Sequence, residues 1–155
     1  MAPDGDERFY ERLKEFETAM LVTHAGDTLH ARPMSIADAE PDCDLWFITG
    51  GDTLKAHEIE ADGRVQVICQ DGRSYLTVTG TARLVTDRAK LDELWQETMR
   101  TWFPKGKDDP SLVLVMLTAK EGEYWDHSGL SKLKYHADSA PAPDGNRQVR
   151  SAVSP

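Results

Sequence analysis

The chain has 155 residues, of which 39% are hydrophobic and 29% are charged, and its formal net charge at pH 7 is −9. These values predict one globular domain whose core needs no disulfide or metal to hold it together. The acidic balance argues against binding to nucleic acid phosphates, and no apolar run approaches the roughly 20 residues that span a membrane.

The first half of the chain predicts a helix, a β-hairpin, a third strand and a second helix. Phe9, Leu13, Phe16 and Met20 lie at helical spacings and predict an amphipathic helix of about three turns. Strands are predicted at residues 20–25, 29–37 and 43–49. The third strand is apolar on both faces, so we expect it to lie in the middle of the sheet.

The second half predicts four more strands and one longer helix. The strands are at residues 63–70, 74–85, 111–119 and 122–127. Thr86 or Asp87 is expected to cap a helix that runs to about Arg100, with Trp95 and Trp102 on its core-facing stripe.

This order of elements predicts an α+β fold. Strands joined mostly by tight turns favour an antiparallel sheet, and seven strands at this length favour closure into a small β-barrel with flanking helices. The last residues contain little that can be buried. We therefore predict a domain over residues 1–136 and a disordered tail over residues 137–155.

The common catalytic and metal-binding signatures are missing from the sequence. There is no phosphate-binding GxxxxGK loop, no GxGxxG and no GxSxG. The stretch HEIEA at residues 57–61 begins like a zinc-protease helix, but Ala61 stands where the second histidine is needed. The two cysteines and five histidines show no ligand spacing, so we predict no metal site. Any chemistry is then expected to come from a bound cofactor.

The stretch LWFITGGDTLKAHEI, residues 45–59, predicts a site for an anion. A helix that starts near Thr53 presents unpaired backbone N–H groups and a partial positive charge, and Lys55 adds a full charge on its first turn. Arg32 on the hairpin could add a guanidinium, and Pro33 beside it predicts an edge strand. The pattern alone also fits an ordinary loop with a surface lysine and a salt-bridged arginine, and this alternative stays open.

Several segments in order resemble one known family. ARPMSI, DLWFITGGDTLKAHEIEADGRVQVIC, YLTVTGTARLV, WFPKGKDDPSLVLVMLT and EYWD are similar to the FMN-binding split-barrel superfamily of pyridoxamine 5'-phosphate oxidases. The similarity is closer to the short bacterial branch called general stress protein 26, and it covers roughly residues 5 to 127.

The resemblance implies which residues contact the flavin. One strand would contact the flavin and its ribityl phosphate through Arg32, Pro33 and Met34. The end of the next strand would lie against the flavin at Ile48 and Thr49. The phosphate-binding turn would be Thr53, Leu54 and Lys55. Trp125 matches an aromatic residue near the isoalloxazine ring, although a core tryptophan on a terminal strand would look the same.

The charged N-terminus lacks the apolar stretch of a signal peptide, so we expect a cytoplasmic protein without a membrane or nucleic acid partner. The resemblance implies a homodimer with each FMN site in the cleft between its two chains. The expected activity is that of an FMN-dependent oxidoreductase. A flavin-binding protein without turnover, such as a redox sensor or an FMN reservoir, and a deazaflavin-dependent reductase that uses the same groove are the alternatives. True pyridoxamine phosphate oxidases end in a further strand and an Arg-rich substrate-binding segment. The stretch after Trp125, DHSGLSKLKYHADSAPAP at residues 126–143, contains no such motif, so pyridoxal phosphate synthesis is not expected.

Overall fold

The structure is a computed structural model that describes residues 5–137. Its helices are α1 Gly5–Leu13, α2 Leu54–Ala61 and α3 Arg88–Leu94, with a 3-10 helix at Glu97–Thr101. Its strands are β1 Thr18–Ala25, β2 Thr28–Ser35, β3 Asp38–Ala39, β4 Leu45–Gly50, β5 Arg64–Asp71, β6 Ser74–Val85, β7 Leu112–Trp125 and β8 Ser131–His136.

The strands form one antiparallel sheet that curls into an unclosed barrel. The hydrogen-bonded order is β2-β1-β5-β6-β7-β4-β3, and β8 also pairs with β7. β2 and β3 occupy opposite ends of this order, yet only Ile36 and Ala37 separate them in the chain, so the sheet must curl back on itself. Backbone hydrogen bonds from Ile36 N to Glu17 O (2.9 Å) and from Ala37 N to Trp46 O (2.8 Å) hold this crossing in place. The predicted α+β class and antiparallel split barrel are confirmed.

We use the term seam for the gap between β2 and β4, which are not hydrogen-bonded to each other. β4 was expected in the middle of the sheet, and that expectation is wrong, because β4 lies next to the two-residue strand β3. β4 is nevertheless buried on both faces. Phe47 points into the barrel, whereas Trp46 and Ile48 belong to a second apolar cluster under α3.

The first predicted helix is too long. α1 ends at Leu13, and Met20 lies in β1, where its side chain is 38% exposed. All eight residues of β1 pair with β2, and this pairing outweighs the helical spacing that continues through Phe16. Phe16 is still buried in the barrel core.

The predicted helix over residues 86–100 is split into two pieces. Asp87 caps α3 as expected by accepting a hydrogen bond from Lys90 N (3.1 Å). The backbone is extended at Trp95, and the 3-10 helix starts at Glu97. The split lets Leu94 from one piece and Met99 from the other cover the same cluster.

The C-terminal strands differ from the prediction in two ways. Residues 112–125 form one continuous strand rather than two. The predicted interruption at residues 120–121 is only a shift in the pairing with β6 between Thr79 and Gly80. Gly122 pairs with Val78, and a Cβ at Gly122 would lie 2.5 Å from Phe9 Cζ and 2.7 Å from Thr77 O. β8 was not predicted at all, and its buried residues are Leu133 and Tyr135.

The tail prediction lies almost wholly outside the described residues. Ala137, placed in the tail by the sequence, donates its backbone N–H to Lys120 O (2.7 Å), and residues 138–155 are not described. Within residues 5–137, no helix is long and apolar enough to cross a membrane. The same residues contain no cluster of His, Cys, Asp and Glu suited to a metal ion.

Candidate functional site

A cavity of about 390 Å³ opens at the seam. One wall comes from the end of β2, at Pro33, Met34 and Ser35. The facing wall comes from the end of β4, at Ile48, Thr49 and Gly50. Met99, Trp102 and Phe103, in and after the 3-10 helix, close the outer side. We call this space the seam cavity.

The start of α2 forms one end of the seam cavity. Thr53 caps the helix, because its Oγ1 accepts from Ala56 N (3.3 Å) and donates to Gly50 O (2.8 Å). The first N–H groups of a helix have no intrahelical partner, so those of Leu54 and Lys55 are directed out of the helix start. Gly51 lies close to the neighbouring strand, and a Cβ there would be 3.2 Å from Ser111 O. The Gly50-Gly51 pair therefore seats this turn on the start of β7.

Lys55 is the one charged residue among the described residues that line the seam cavity. Its side chain is half-buried, and within residues 5–137 it has no hydrogen-bond or ion-pair partner. Its pKa is lowered from the ordinary value of 10.5, first by burial and then by the nearby positive charge of Arg32. An anion in the cavity would offset both effects, so the end of the cavity at Lys55 is suited to a negatively charged group.

Arg32 points away from this cavity into a polar cluster behind it. Its Nη1 donates to Thr23 Oγ1 (2.6 Å) and its Nη2 donates to Glu58 Oε1 (3.0 Å). Thr23 Oγ1 lies 2.6 Å from Glu58 Oε1, and His30 Nδ1 lies 2.6 Å from Glu58 Oε2. We call Thr23, His30, Arg32 and Glu58 the junction network, because they join β1, β2 and α2.

The junction network keeps the Glu58 carboxylate ionised. The side chain of Glu58 is only 7% exposed, and its pKa is lowered from the ordinary value of 4.5, chiefly by the hydrogen bond from Thr23 and then by those from His30 and Arg32. An ionised carboxylate can only accept, so Thr23, His30 and Arg32 are all donors to it. The carboxylate of Glu58 therefore holds the hairpin of β1 and β2 against α2.

The structure brings most of the predicted site residues together. The predicted residues that line the seam cavity are Pro33, Met34, Ile48, Thr49, Thr53 and Lys55. Leu54 is exposed beside the helix start. Arg32 lies behind the cavity. Trp125 lines a separate groove that crosses β5 to β8 and is formed mostly by residues of β7 and β8.

The outer wall of the cavity was not predicted from the sequence. Trp102 was expected in the core, but its side chain is 69% exposed and it lines the seam cavity with Met99 and Phe103. The resemblance included the stretch WFPKG, which starts at Trp102, so the signal was in the sequence. The predicted continuous helix led to the wrong assignment, because it placed Trp102 on the core-facing stripe.

The sequence matches a known family over nearly all of its length. The sequence model of the family described as pyridoxamine 5'-phosphate oxidase like covers residues 4–143. The chain belongs to this family. No curated protein matches the chain significantly.

Several solved structures resemble the chain in fold. A general stress FMN/FAD binding protein from Xanthomonas citri is 31% identical, with a TM-score of 0.66 over 83% of this chain and 91% of that one. General stress protein 26 from Bacillus anthracis is 22% identical, with a TM-score of 0.71 over 83% of this chain and 97% of that one. A protein from Clostridium acetobutylicum related to general stress protein 26 is 21% identical, with a TM-score of 0.72 over 85% and 96% of the two chains. The last two identities establish the likeness in fold alone.

Proposed function

We propose that this protein binds FMN in the seam cavity and acts as an oxidoreductase linked to a stress response. The observation that carries the proposal is the cavity's one lysine, Lys55, which has no partner among the described residues and stands at the start of α2. The relative from Xanthomonas citri, described as a general stress FMN/FAD binding protein, supports a flavin as the ligand and a stress response as the setting.

The residues of the seam cavity fit the two parts of FMN. The volume of about 390 Å³ lies within the range of small-molecule sites, roughly 300–1,000 Å³. Apolar side chains such as Met34, Ile48 and Phe103 suit a planar ring system. Lys55 and the first N–H groups of α2 suit a phosphate.

A bound flavin would supply the electron-accepting and electron-donating ring. The contribution of this chain is then to bind and orient that ring and to keep water from it. Thr53 fixes the start of α2, and the walls formed by β2 and β4 define the plane available to a ring. The residues that line the cavity include no histidine, aspartate or glutamate, so we assign no general acid or base.

The proposal does not extend to pyridoxal phosphate synthesis. β8 follows β7, so the expectation that no further strand follows Trp125 is wrong. Between Trp125 and Ala137, however, the chain contains lysines but no arginine. The resemblance attributes substrate binding in true pyridoxamine phosphate oxidases to an Arg-rich segment, and the described chain has no such segment after β7.

We further propose that the protein is a homodimer formed through the outer face of β1, β5 and β6. Met20 and Ile68 are cross-strand partners on this face, and their side chains are 38% and 39% exposed. Paired exposed apolar side chains on a sheet face favour burial against another surface. Trp125 lines a groove that adjoins this face at Gln66 and Thr79 and continues onto β7 and β8, and we propose that it lies at the edge of the interface between chains.

The ligand can be tested directly. We expect the purified protein to be yellow and its extracted chromophore to have the mass of FMN. In a titration followed by flavin fluorescence, FMN should bind much more tightly than riboflavin, which lacks the phosphate. Equal affinities for the two would contradict a phosphate site at Lys55.

Turnover needs a separate measurement. Steady-state oxidation of a reduced nicotinamide cofactor by the FMN-loaded protein would support the oxidoreductase. Tight FMN binding without oxidation of any donor tested would favour the flavin sensor or reservoir instead.

A further inference from the structure

A second cavity, of about 490 Å³, adjoins the seam cavity. It lies between the end of α1, the crossing from β2 to β3 and the 3-10 helix, and we call it the side cavity. None of the residues that line both cavities belongs to α2 or to the turn before it, so the side cavity opens from the end of the seam cavity that is away from Lys55. The shared residues are Thr18, Ser35, Ala37, Met99 and Trp102.

Trp102 presents a large aromatic surface where the two cavities meet. Its side chain is 69% exposed, and its indole N–H has no hydrogen-bond partner within residues 5–137. An exposed indole offers a flat face for stacking and one N–H donor. Met99, which is half-buried and lines both cavities, adds an apolar contact. This meeting point is therefore suited to a planar molecule.

The charged side chains of the side cavity favour a ligand without negative charge. Glu17 and Asp38 are exposed, and neither side chain has a hydrogen bond or an ion pair within the described part of the chain. Lys14 is the one basic residue among the described residues that line this cavity, and its Nζ is paired with Glu11 Oε2 at 3.1 Å. The lining of the side cavity is therefore acidic and repels anions, in contrast to the seam cavity.

We propose that the side cavity is the substrate site of the oxidoreductase, and that the substrate is a planar aromatic compound without negative charge. This inference rests on the proposed FMN site. With the phosphate site at Lys55, Met99 and Trp102 are on the ring side of the seam cavity, so a molecule in the side cavity is placed next to the flavin ring. Such proximity is what a reaction between two bound molecules requires. A quinone is one compound of this class, and its reduction to the hydroquinone takes up two electrons and two protons, both of which a reduced flavin supplies.

Two quinones that differ in one substituent separate the effect of shape from that of charge. Menadione carries a methyl group on an uncharged naphthoquinone ring, and naphthoquinone sulfonate carries a negative charge in place of that methyl group. The measurement is the dissociation constant of each compound, obtained by equilibrium dialysis against protein saturated with FMN, so that the seam cavity is filled. Menadione should bind saturably and more tightly than the sulfonate.

Paired substitutions test the charge of the side cavity. Glu17→Gln with Asp38→Asn removes both carboxylates, so it should raise the affinity for the sulfonate by roughly fivefold at low ionic strength and leave that for menadione unchanged. The control is Asp27→Asn with Glu60→Gln, which removes two exposed charges that line neither cavity. It should leave both dissociation constants within about twofold of wild type.

Substitutions of Trp102 test the position of the ligand. Trp102→Ala should weaken menadione binding by roughly threefold to tenfold, and Trp102→Phe should restore most of it, because a phenyl ring keeps the stacking face. If menadione does not bind saturably to the FMN-loaded protein, or binds equally well to Trp102→Ala, the inference is wrong while the FMN site stands. Equal or tighter binding of the sulfonate to the wild-type protein would also overturn it. If FMN itself does not bind in the flavin titration, the proposed function is wrong, and the inference falls with it.

Discussion

At the scale of single residues, the seam cavity depends on the unpaired charge of Lys55. We expect Lys55→Ala to weaken FMN binding by roughly tenfold to a hundredfold, because a charge-assisted hydrogen bond contributes about 1.5–3 kcal/mol. Riboflavin should be affected far less, since it has no phosphate. Fluorescence titration with both flavins measures the difference, and Lys120→Ala, an exposed lysine on β7, is the control. An equal loss for both flavins would show that Lys55 does not contact the phosphate.

The buried carboxylate of Glu58 should make stability depend on acid. Its pKa in the folded protein lies below the ordinary value of 4.5 because Thr23, His30 and Arg32 donate to the ionised form. The stabilisation is therefore complete above that value and is lost as the pH falls through the folded pKa. At pH 7 we expect Glu58→Gln to lower the free energy of unfolding by about 1–3 kcal/mol. Urea unfolding at decreasing pH should show this gap narrowing as the pH falls below about 4.5, and a gap that widens with acidification would contradict the assignment.

At the scale of elements, the segment after α3 forms a wall of the site rather than part of the core. Trp102 is 69% exposed, so Trp102→Ala should change the free energy of unfolding by less than about 0.5 kcal/mol while weakening flavin binding. Trp46 is a matched contrast, since it is buried in the cluster under α3 and its replacement by alanine should cost about 3–5 kcal/mol. Thermal unfolding and flavin titration of both variants check the pair. A large loss of stability in Trp102→Ala would place Trp102 in the core after all.

The packing of α1 and β6 against β7 leaves no room for a side chain at Gly122. Gly122→Ala would place a Cβ 2.7 Å from Thr77 O, a backbone atom that cannot rotate away, and 2.5 Å from Phe9 Cζ. We expect a loss of about 1–3 kcal/mol in the free energy of unfolding, measured by chemical denaturation. A neutral substitution would mean that α1 can shift away from the sheet at little cost.

The sequence predicted correctly those strands and helix starts that are specified by residues adjacent in the chain. The alternation in residues 74–85, the cap at Asp87 and the helix start at Thr53 could all be read from neighbouring residues. The errors come from contacts between distant parts of the chain. The need for glycine at position 122 could not be read from its neighbours, because Phe9, 113 residues earlier in the chain, makes the contact that requires it. β8 is mostly polar, and only Leu133 and Tyr135 reveal its buried face.

The candidate site was predictable to a similar extent. Residues on β2, β4 and the start of α2 were predicted from sequence because the turn signal and the resemblance coincide there. The commitment of Arg32 to Glu58 was not predicted, since the sequence places them 26 residues apart and only the folded hairpin brings them together. The exposed position of Trp102 follows from the break at Trp95, for which the sequence offers no local signal.

At the scale of the whole molecule, the exposed pair of Met20 and Ile68 predicts a dimer. Light scattering should give a mass near twice 17.3 kDa. Ile68→Lys should shift the protein towards the monomer, because a charge would be buried at the interface. Leu130→Lys changes a more exposed apolar residue in the turn between β7 and β8 and should leave the dimer intact. A monomer that binds one flavin per chain would contradict a shared site.

The contact between α1 and β8 links the first and last described elements of the barrel. The ring of Phe9 stacks on that of Tyr135, with centroids 5.6 Å apart, and both side chains are buried. A ribosome delivers residues in order, and β8 emerges only after the remaining strands have been made. During synthesis, the contact between Phe9 and Tyr135 therefore cannot form until nearly all of the domain has been translated. The nascent chain exposes Phe9 for that interval, which is when a chaperone that binds apolar segments would find it.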